Sequence, residues 1–367
     1  MDFDTENKEI SKELKCTGCG AILQFEPGTK SLTCSYCGAE NVIEASTEVI
    51  EEIDFEKFIS TQYEKEEKIE VVTVRCSACG ASLTLQPNVT SDHCPYCAAN
   101  IVVQSGSSST VLKPKSLAPF VIDKKKAAEF FRDWINKLWF APSDLKQKAA
   151  GGNMDGIYVP YWTYDAGTQT VYTGARGTYY YETETYTTTE NGQTVTRTRQ
   201  VRHTRWSSTA GQVANDFDDI LVVASNSLPV NYTQKLEPWH LKELTPYNDK
   251  FLSGFRTESY QVDLVEGLKI AKDRMVPVIT STIHSDIGGD EQRIYTMSTS
   301  YSDVSFKHIL LPIWISSYKF NNKVYRFLIN GQTGEVQGER PFSALKITLA
   351  ILAVIAVIVI LVVLFSE

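Results

Sequence analysis

The residues of this chain best suited to chemistry are its eight cysteines, which all fall in CxxC pairs. Such pairs serve either as redox dithiols or as metal ligands. The acidic tail at residues 1–14 contains no apolar leader, so we expect reduced thiols, which favours metal binding. Four thiolates close a tetrahedral shell with no open position, as in structural zinc sites. We therefore predict two structural Zn2+ ions, one held by Cys16, Cys19, Cys34 and Cys37 and the other by Cys76, Cys79, Cys94 and Cys97.

The two sets of ligands belong to one duplicated unit. Cys16 and Cys76 are 60 positions apart, as are the other three ligand pairs, and 12 of the 30 positions in 15–44 and 75–104 are identical. A module of this size buries too little apolar surface to fold unaided, and zinc binding supplies about 10–16 kcal/mol. We predict two N-terminal rubredoxin-like zinc ribbons, at residues 15–44 and 75–104. Each CxxC pair forms one knuckle of a ribbon. Three of the four are followed by a glycine, which lets the backbone turn: Gly20, Gly38 and Gly80. The fourth is followed by Ala98.

The charge of the N-terminal third disfavours nucleic acid as a partner. Residues 1–104 contain 18 Asp and Glu against 8 Lys and Arg, whereas zinc ribbons that bind nucleic acid use a basic surface. Much of this negative charge lies in the acidic linker at residues 45–74, where Phe55 and Phe58 indicate an amphipathic, helical segment. The linker is either a solvated connection or an acidic docking surface for a protein partner.

A basic stretch, TVTRTRQVRHTRW, follows the acidic run TYYYETETYTTTE. The Asn191-Gly192 pair that joins them predicts a two-residue hairpin turn, in which paired positions sum to 383. Glu184 then lies opposite Arg199, with Glu182 diagonal to Arg199, so we expect cross-strand ion pairs. Two interpretations of this ribbon stay open: an exposed assembly surface and a nucleic-acid surface.

For the middle of the chain, the composition predicts a flexible linker at residues 105–117, SGSSSTVLKPKSL. A β-rich α+β domain is predicted at residues 118–340. Asp123 caps a predicted helix over DKKKAAEFFRDWINKLWF, and SDLKQKAA predicts a short second one. Strand-like runs follow, from GIYVPYWTYDA to KVYRFLI. Another helix is predicted over QVDLVEGLKIAKDR, ended or kinked at Pro277, and the stretch SDIGGDEQ predicts a turn.

No catalytic constellation is visible in the sequence. The histidines of the central domain are scattered, with no HExxH, GxSxG or Walker-type loop around them. We therefore expect neither an enzyme nor a small-molecule substrate, while a ligand or catalytic pocket inside the central domain stays open as an alternative. The histidines concerned are His203, His240, His284 and His308.

The stretch ITLAILAVIAVIVILVVLF, at residues 347–365, carries no charge over 19 residues. As a helix it spans roughly 28 Å, which matches the hydrocarbon core of a bilayer. We predict a single C-terminal transmembrane helix. Arg340 and Lys346 precede it, and basic flanks stay in the cytosol, so we expect a single-pass plasma-membrane protein whose N-terminal domains are cytoplasmic.

Several stretches together resemble a bacterial family of double zinc-ribbon (transcription-factor-IIB-type), tail-anchored membrane proteins, often labelled primosomal protein N′-like or phage replication proteins. The stretches are the CxxCG knuckles, EEIDFEKF, KLWFAPSDLK, GIYVPYWTYDA, IGGDEQRIYTMSTSYSDVSFKHILLPIW and VYRFLINGQTGEVQGERP. The resemblance implies association with flotillin-like (SPFH) proteins and phage-shock-protein-A-type membrane-stress scaffolds. The primosomal label implies a helicase, but this chain contains no GxxxxGK[ST] loop.

Taken together, the sequence predicts an α+β protein with two zinc ribbons, a β-rich central domain with a few helices, and one transmembrane helix. The function that we expect is a non-enzymatic, tail-anchored scaffold or adaptor that recruits proteins to the inner membrane face. The alternative is a membrane-tethered nucleic-acid-binding protein of replication or transcription type.

Overall fold

The computed structural model describes residues 14–365, apart from residues 45, 47, 63–67, 85–90, 98, 103–106, 143–144, 146–153, 191–192 and 322. The strands are β1 (Gln24–Phe25), β2 (Ser31–Thr33), β3 (Glu40–Val42), β4 (Ile53–Asp54), β5 (Lys68–Arg75), β6 (Ser82–Thr84), β7 (Ser91–His93), β8 (Asn100–Val102), β9 (Ser107–Leu112), β10 (Ser116–Leu117), β11 (Met154–Glu190), β12 (Gln193–Val223), β13 (Thr245–Pro246), β14 (Arg256–Thr257), β15 (Glu291–Phe320), β16 (Lys323–Asn330) and β17 (Val336–Gly338). Helices span Phe55–Lys57, Lys124–Lys137, Val230–Thr233, Leu264–Ile287 and Ala344–Phe365, with shorter helical turns at Phe58–Gln62, Gln234–Leu236, Leu241–Glu243 and Asp249–Leu252.

Nine of these strands form one mixed sheet at the centre of the molecule. β11 pairs antiparallel with β12 on one side and with β15 on the other, and β15 continues through β10 to β13. The run GIYVPYWTYDA is almost continuously apolar because β11 is buried on both faces there. Ile157 and Val159 face one core, and Trp162 and Tyr164 face another. The fold class is α+β, as predicted.

The separate strand runs of the sequence merge into long strands. β11 alone has 37 residues, and beyond the core it continues with β12 and β15 as a three-stranded arm. The helix Leu264–Ile287 packs along this arm and begins at Asp263, whose side chain accepts from the N–H of Glu266. Its buried stripe lies at helical spacing: Leu264, Leu268, Ala271, Met275, Ile279, Ile283 and Ile287.

Pro277 was expected to end or to kink this helix, and the first of these two alternatives is wrong. The helix continues for ten residues beyond Pro277, to Ile287. A proline inside a helix costs about 3 kcal/mol. The buried stripe on both sides of the proline offsets this cost, since burying each large aliphatic side chain contributes about 1.5–3 kcal/mol. The predicted turn follows, with positive φ at Gly288 and Gly289.

The helix Lys124–Lys137 confirms the first helix predicted in the central domain. Asp123 is its N-cap and accepts from the N–H of Lys126 at 2.7 Å. Phe131 is buried on the face expected from the apolar spacing and stacks on Phe327 of the sheet. The short helix predicted over SDLKQKAA lies outside the described residues, apart from Leu145.

The two segments predicted as linkers are largely structured. Within residues 105–117, β9 pairs antiparallel with β5, and β10 joins the central sheet, so this segment is not a flexible linker. Within residues 45–74, β4 pairs with β15, and the amphipathic segment is helical, as predicted, with Phe58 buried. The physical reason is that the second ribbon brings its two flanks, β5 and β9, side by side, where their backbones pair.

The hairpin confirms the register predicted from Asn191-Gly192, although these two residues lie outside the described part of the chain. Glu190 pairs with Gln193 and Glu184 with Arg199, whose guanidinium nitrogen lies 3.0 Å from the carboxylate. The carboxylate of Glu182, predicted diagonal to Arg199, lies 3.8 Å from His203 instead. Two further arginines stack over tyrosine rings: Arg202 over Tyr179 and Arg205 over Tyr180.

The apolar tail forms the helix Ala344–Phe365, three residues longer at its start than the predicted span. No part of it is buried inside the protein, and it is long and apolar enough to cross a membrane. An apolar helix without a buried face has no core to join, which makes it a candidate single membrane span.

Candidate metal centres and their docking surfaces

The first metal centre lies at the end of the small sheet β1–β2–β3. The Sγ atoms of Cys16 and Cys37 are 3.6 Å apart, and those of Cys19 and Cys34 are 3.5 Å apart. A tetrahedron with Zn–S bonds of about 2.3 Å has edges of about 3.8 Å, and a disulfide is far shorter at about 2.05 Å. The four thiols are therefore arranged to bind one zinc ion.

Backbone N–H groups prepare these thiols for ionisation. The N–H groups of Gly18 and Cys19 lower the pKa of Cys16 to about 6, and those of Cys37 and Tyr36 lower the pKa of Cys34. At Cys37 the N–H of Ala39 also lowers the pKa, but the three neighbouring thiols outweigh it and raise the pKa to about 12. A divalent cation at the centre removes the mutual repulsion of the thiolates, so the set fits zinc.

The second metal centre repeats this geometry. The Sγ atoms of Cys76 and Cys97 are 3.7 Å apart, and those of Cys79 and Cys94 are 3.6 Å apart. β7 and β8 pair on either side of Cys94 and Cys97, and β5 and β9, which flank the ribbon in sequence, pair with each other. All eight predicted ligands are thus brought into two clusters of four, arranged to bind two zinc ions.

The glycines that follow the knuckles adopt the backbone that was expected of them. Gly20, Gly38 and Gly80 have φ values of 74°, 72° and 78°, in the left-handed region that a side chain disfavours. The N–H of Gly20 donates to the carbonyl of Cys16, which closes the knuckle. Ala98, at the fourth knuckle, lies outside the described residues.

The first ribbon is packed on the central domain through apolar side chains. Phe25 meets Phe251 edge to face, with ring centroids 5.1 Å apart, and its backbone N–H donates to the carbonyl of Ser253 at 2.9 Å. The hydroxyl of Ser253 donates in turn to the carbonyl of Leu23 at 2.6 Å. Cys16 and Cys34 belong to the same buried cluster, so the metal site is continuous with the core.

The second ribbon is also packed on the central domain through apolar side chains, and it adds polar side-chain contacts. The hydroxyl of Tyr96, which is fully buried, donates to Glu258 at 2.9 Å. His93 lies 3.0 Å from the carboxylate of Asp155, and Arg256 donates to the carbonyl of His93 at 2.7 Å. Burial raises the pKa of Glu258, although hydrogen bonds from Ser227, Ser225, Tyr96 and Gln261 lower it.

One short piece of chain holds both ribbons, and we call Asp249–Glu258 the docking strap. Phe251 and Ser253 bind the first ribbon, whereas Arg256 and Glu258 bind the second. Sequence reasoning missed these residues because they lie more than 150 positions from their partners. The one available signal was a pair of aromatic residues, Phe251 and Phe255, in a stretch without helical or strand periodicity.

A third group of acidic residues meets in the described part of the chain, at Glu52, Asp165 and Asp218. The ammonium of Lys307 lies 3.1 Å from Glu52 and 3.7 Å from Asp165, so it offsets part of the negative charge of the group. Burial raises the pKa of Asp165 to about 6. This network ties the connection between the ribbons to β15.

The predicted histidines do not come together around one site. His308 is buried and stacks on Trp162, and burial lowers its pKa to about 3, so it is a neutral core residue. His203 is half-buried and His240 is exposed, and they lie beside Glu182 and Glu243 respectively. His284 is in the last turn of the helix Leu264–Ile287.

No family model and no solved structure matches the chain. Among curated proteins, the chain is similar to the uncharacterized protein YdjG of Bacillus subtilis (strain 168). The two are 28% identical over 340 residues, which cover 91% of each chain. The similarity therefore extends well beyond the two ribbons, into the central domain that packs against them.

Proposed function

We propose that this chain is a non-enzymatic, membrane-anchored scaffold or adaptor, whose zinc ribbons and β-rich domain recruit cytosolic proteins to the inner face of the plasma membrane. The observation that carries the proposal is the helix Ala344–Phe365, which is exposed on every side and leads directly into a body with two metal modules packed on it. Such a body presents a shaped surface at a membrane.

The metal chemistry supports a structural role. Each centre has four thiol ligands and no open position, so zinc bound there has no site for a substrate or an activated water. The acidic group around Lys307 shares that ammonium, which lies 3.1 Å from Glu52 and 2.9 Å from Asp219. Among the described residues, the buried polar groups near the ribbons serve docking, with Tyr96 and Glu258 as the example.

The charges beside the span support a cytosolic orientation of the body. Arg340 and Lys346 lie on the N-terminal side of the apolar helix, and basic flanks are retained in the cytosol. The zinc thiolates agree with this placement, because the cytosol keeps thiols reduced.

The partners belong to the same proposal. The resemblance to the bacterial double zinc-ribbon family favours flotillin-like (SPFH) and phage-shock-protein-A-type proteins. The first 104 residues, with 18 acidic and 8 basic side chains, favour a protein surface over a polyanion. One arginine of the hairpin, Arg199, is paired with Glu184, which leaves less unpaired positive charge for phosphate.

Truncation after Lys346 tests the anchor. We expect the full-length protein to float with membranes and the truncated protein to stay in the soluble fraction with both zinc ions. Full-length protein in the supernatant after ultracentrifugation without detergent would contradict the proposal. Crosslinking in membranes followed by pull-down then identifies the partners, and a salt-dependent shift of DNA or RNA would support the alternative function instead.

A further inference from the structure

A cluster of exposed apolar side chains lies where the body meets the apolar helix. Trp139 is 79% exposed and Phe140 41%, and both belong to the turn that follows the helix Lys124–Lys137. Phe342 and Leu345, just before the span, are 59% and 71% exposed. We call these four side chains the membrane platform. A contiguous patch of exposed apolar side chains marks a site of interaction with a protein or a membrane.

The two parts of the platform are joined by hydrogen bonds. The backbone N–H of Ser343 donates to the carbonyl of Phe140 at 2.8 Å. The ammonium of Lys346 donates to the carbonyl of Ala141 at 2.7 Å. Ser343 also accepts from the N–H of Lys346 and caps the helix. The turn that carries Trp139 and Phe140 is therefore hydrogen-bonded directly to the start of the apolar helix.

The depth of this attachment identifies the partner. Ser343 precedes Ile347, the first residue of the uncharged run, by four residues, which corresponds to about 6 Å along a helix. The headgroup region adds about 5–8 Å on each side of the hydrocarbon core. The Phe140 carbonyl, bonded at Ser343, then lies at the level of the headgroups. This is the layer in which tryptophan and other amphipathic rings accumulate.

The charges around the platform match the same layer. The guanidinium of Arg340 stacks over the ring of Phe342, with 5.3 Å to its centroid, and Lys346 adds a second cation. Basic residues beside a span attract anionic phospholipid headgroups, at about 1 kcal/mol each. Aromatic rings with adjacent cations are suited to a phospholipid interface.

We propose that the membrane platform inserts into the headgroup layer of an anionic phospholipid bilayer and holds the zinc-ribbon body in one orientation above it. The inference rests on the proposed membrane anchoring. The body then does not swivel freely on its tail, because two contacts, the span and the platform, fix it. The surface presented to cytosolic partners is consequently the one that points away from Trp139.

Tryptophan quenching by brominated lipids tests the platform. The full-length protein is placed in phosphatidylcholine–phosphatidylglycerol vesicles, with and without bromine near the headgroup end of the acyl chains. We expect quenching in the wild type and its loss in Trp139→Phe. Trp206→Phe is the matched control, because Trp206 lies on the hairpin under Arg293 and its removal should leave the quenching unchanged. Trp139 is one of six tryptophans, so the difference is a resolvable part of the emission.

Flotation and metal analysis separate the possible failures. If the vesicles float and the protein does not float with them, the proposed membrane anchoring is wrong. Protein that floats with two zinc ions per chain and shows the same quenching in wild type and Trp139→Phe would overturn only the platform. A folded, floating Trp139→Phe protein with lost quenching supports it.

Discussion

The two zinc ribbons have the same ligand spacing and both pack into an apolar core, but the second also docks through polar side chains of its own. Their shared tyrosine shows this most directly: Tyr36 is 83% exposed in the first ribbon, whereas Tyr96 is fully buried in the second. Phe25 of the first ribbon makes an apolar contact with the body, and the second ribbon adds the buried hydrogen-bonded pair Tyr96 and Glu258 to its apolar packing. Duplication preserved the metal site and left the docking surface free to diverge.

The largest effect expected from a single change is loss of one metal. Cys34→Ser should lower bound zinc from two ions to one per chain and unfold the first ribbon, because zinc binding contributes about 10–16 kcal/mol to a module of this size. Cys94→Ser should do the same to the second ribbon. Metal analysis of the purified full-length variants measures this. Two zinc ions in either variant would contradict the ligand assignment.

A smaller effect should separate the docking of the first ribbon from its metal. Phe25→Ala should weaken docking by about 3–5 kcal/mol, because it removes a buried aromatic side chain, while both zinc ions stay bound. Hydrogen exchange at the amides of Phe25 and its neighbours measures the undocking. Ile22→Ala is the control, since Ile22 is exposed. Equal protection in the two variants would show that Phe25 does not hold the ribbon.

The shared tyrosine offers a matched pair of substitutions. Tyr96→Phe removes a hydrogen bond from the buried Glu258 and should cost about 1–3 kcal/mol. Tyr36→Phe removes a solvent-facing hydroxyl and should change stability by less than about 0.5 kcal/mol. Thermal or denaturant unfolding of the two variants compares them. Similar losses would remove the distinction between the two docking surfaces.

The smallest effect expected is a pH dependence confined to the second ribbon. Burial raises the pKa of Glu258, so the folded state favours the protonated carboxyl more than the unfolded state does. The docking stability is therefore greatest below the ordinary pKa of glutamate and falls as the pH rises through the raised value. Glu258→Gln should flatten this dependence at pH values above the ordinary pKa of glutamate, with the first ribbon as the internal reference. Hydrogen exchange at the two ribbons reports both, and an unchanged slope in the variant would assign the dependence elsewhere.

Local signals were sufficient for part of this architecture. Cysteine spacing predicted both clusters, Asn191-Gly192 predicted the hairpin register, and Asp123 predicted a helix start, since each depends on neighbours in sequence. The serine-rich segment that became β9 was misread because its order comes from pairing with β5, which composition does not reveal. Similarly, Pro277 disfavours a helix locally, but the packing of this helix along the arm outweighs that preference.

The docking strap could not be predicted for the same reason. Phe251 and Glu258 have no local pattern, and their partners Phe25 and Tyr96 are distant in the chain. The two ribbons meet the docking strap only in the folded protein, so no local pattern in the sequence indicates these contacts.

The long hairpin has a consequence for the reach of the molecule. The third strand of the arm ends at the pair Gly177 and Glu291, whereas β11 and β12 stay paired to Glu190 and Gln193. The last thirteen residues of β11, from Thr178 to Glu190, therefore extend for about 43 Å, at 3.3 Å per residue, with β12 but without the third strand beside them. Two-stranded ribbons are marginally stable alone, so cross-strand contacts such as the Glu184–Arg199 pair are needed to keep this part of the ribbon formed, well away from the three-stranded arm.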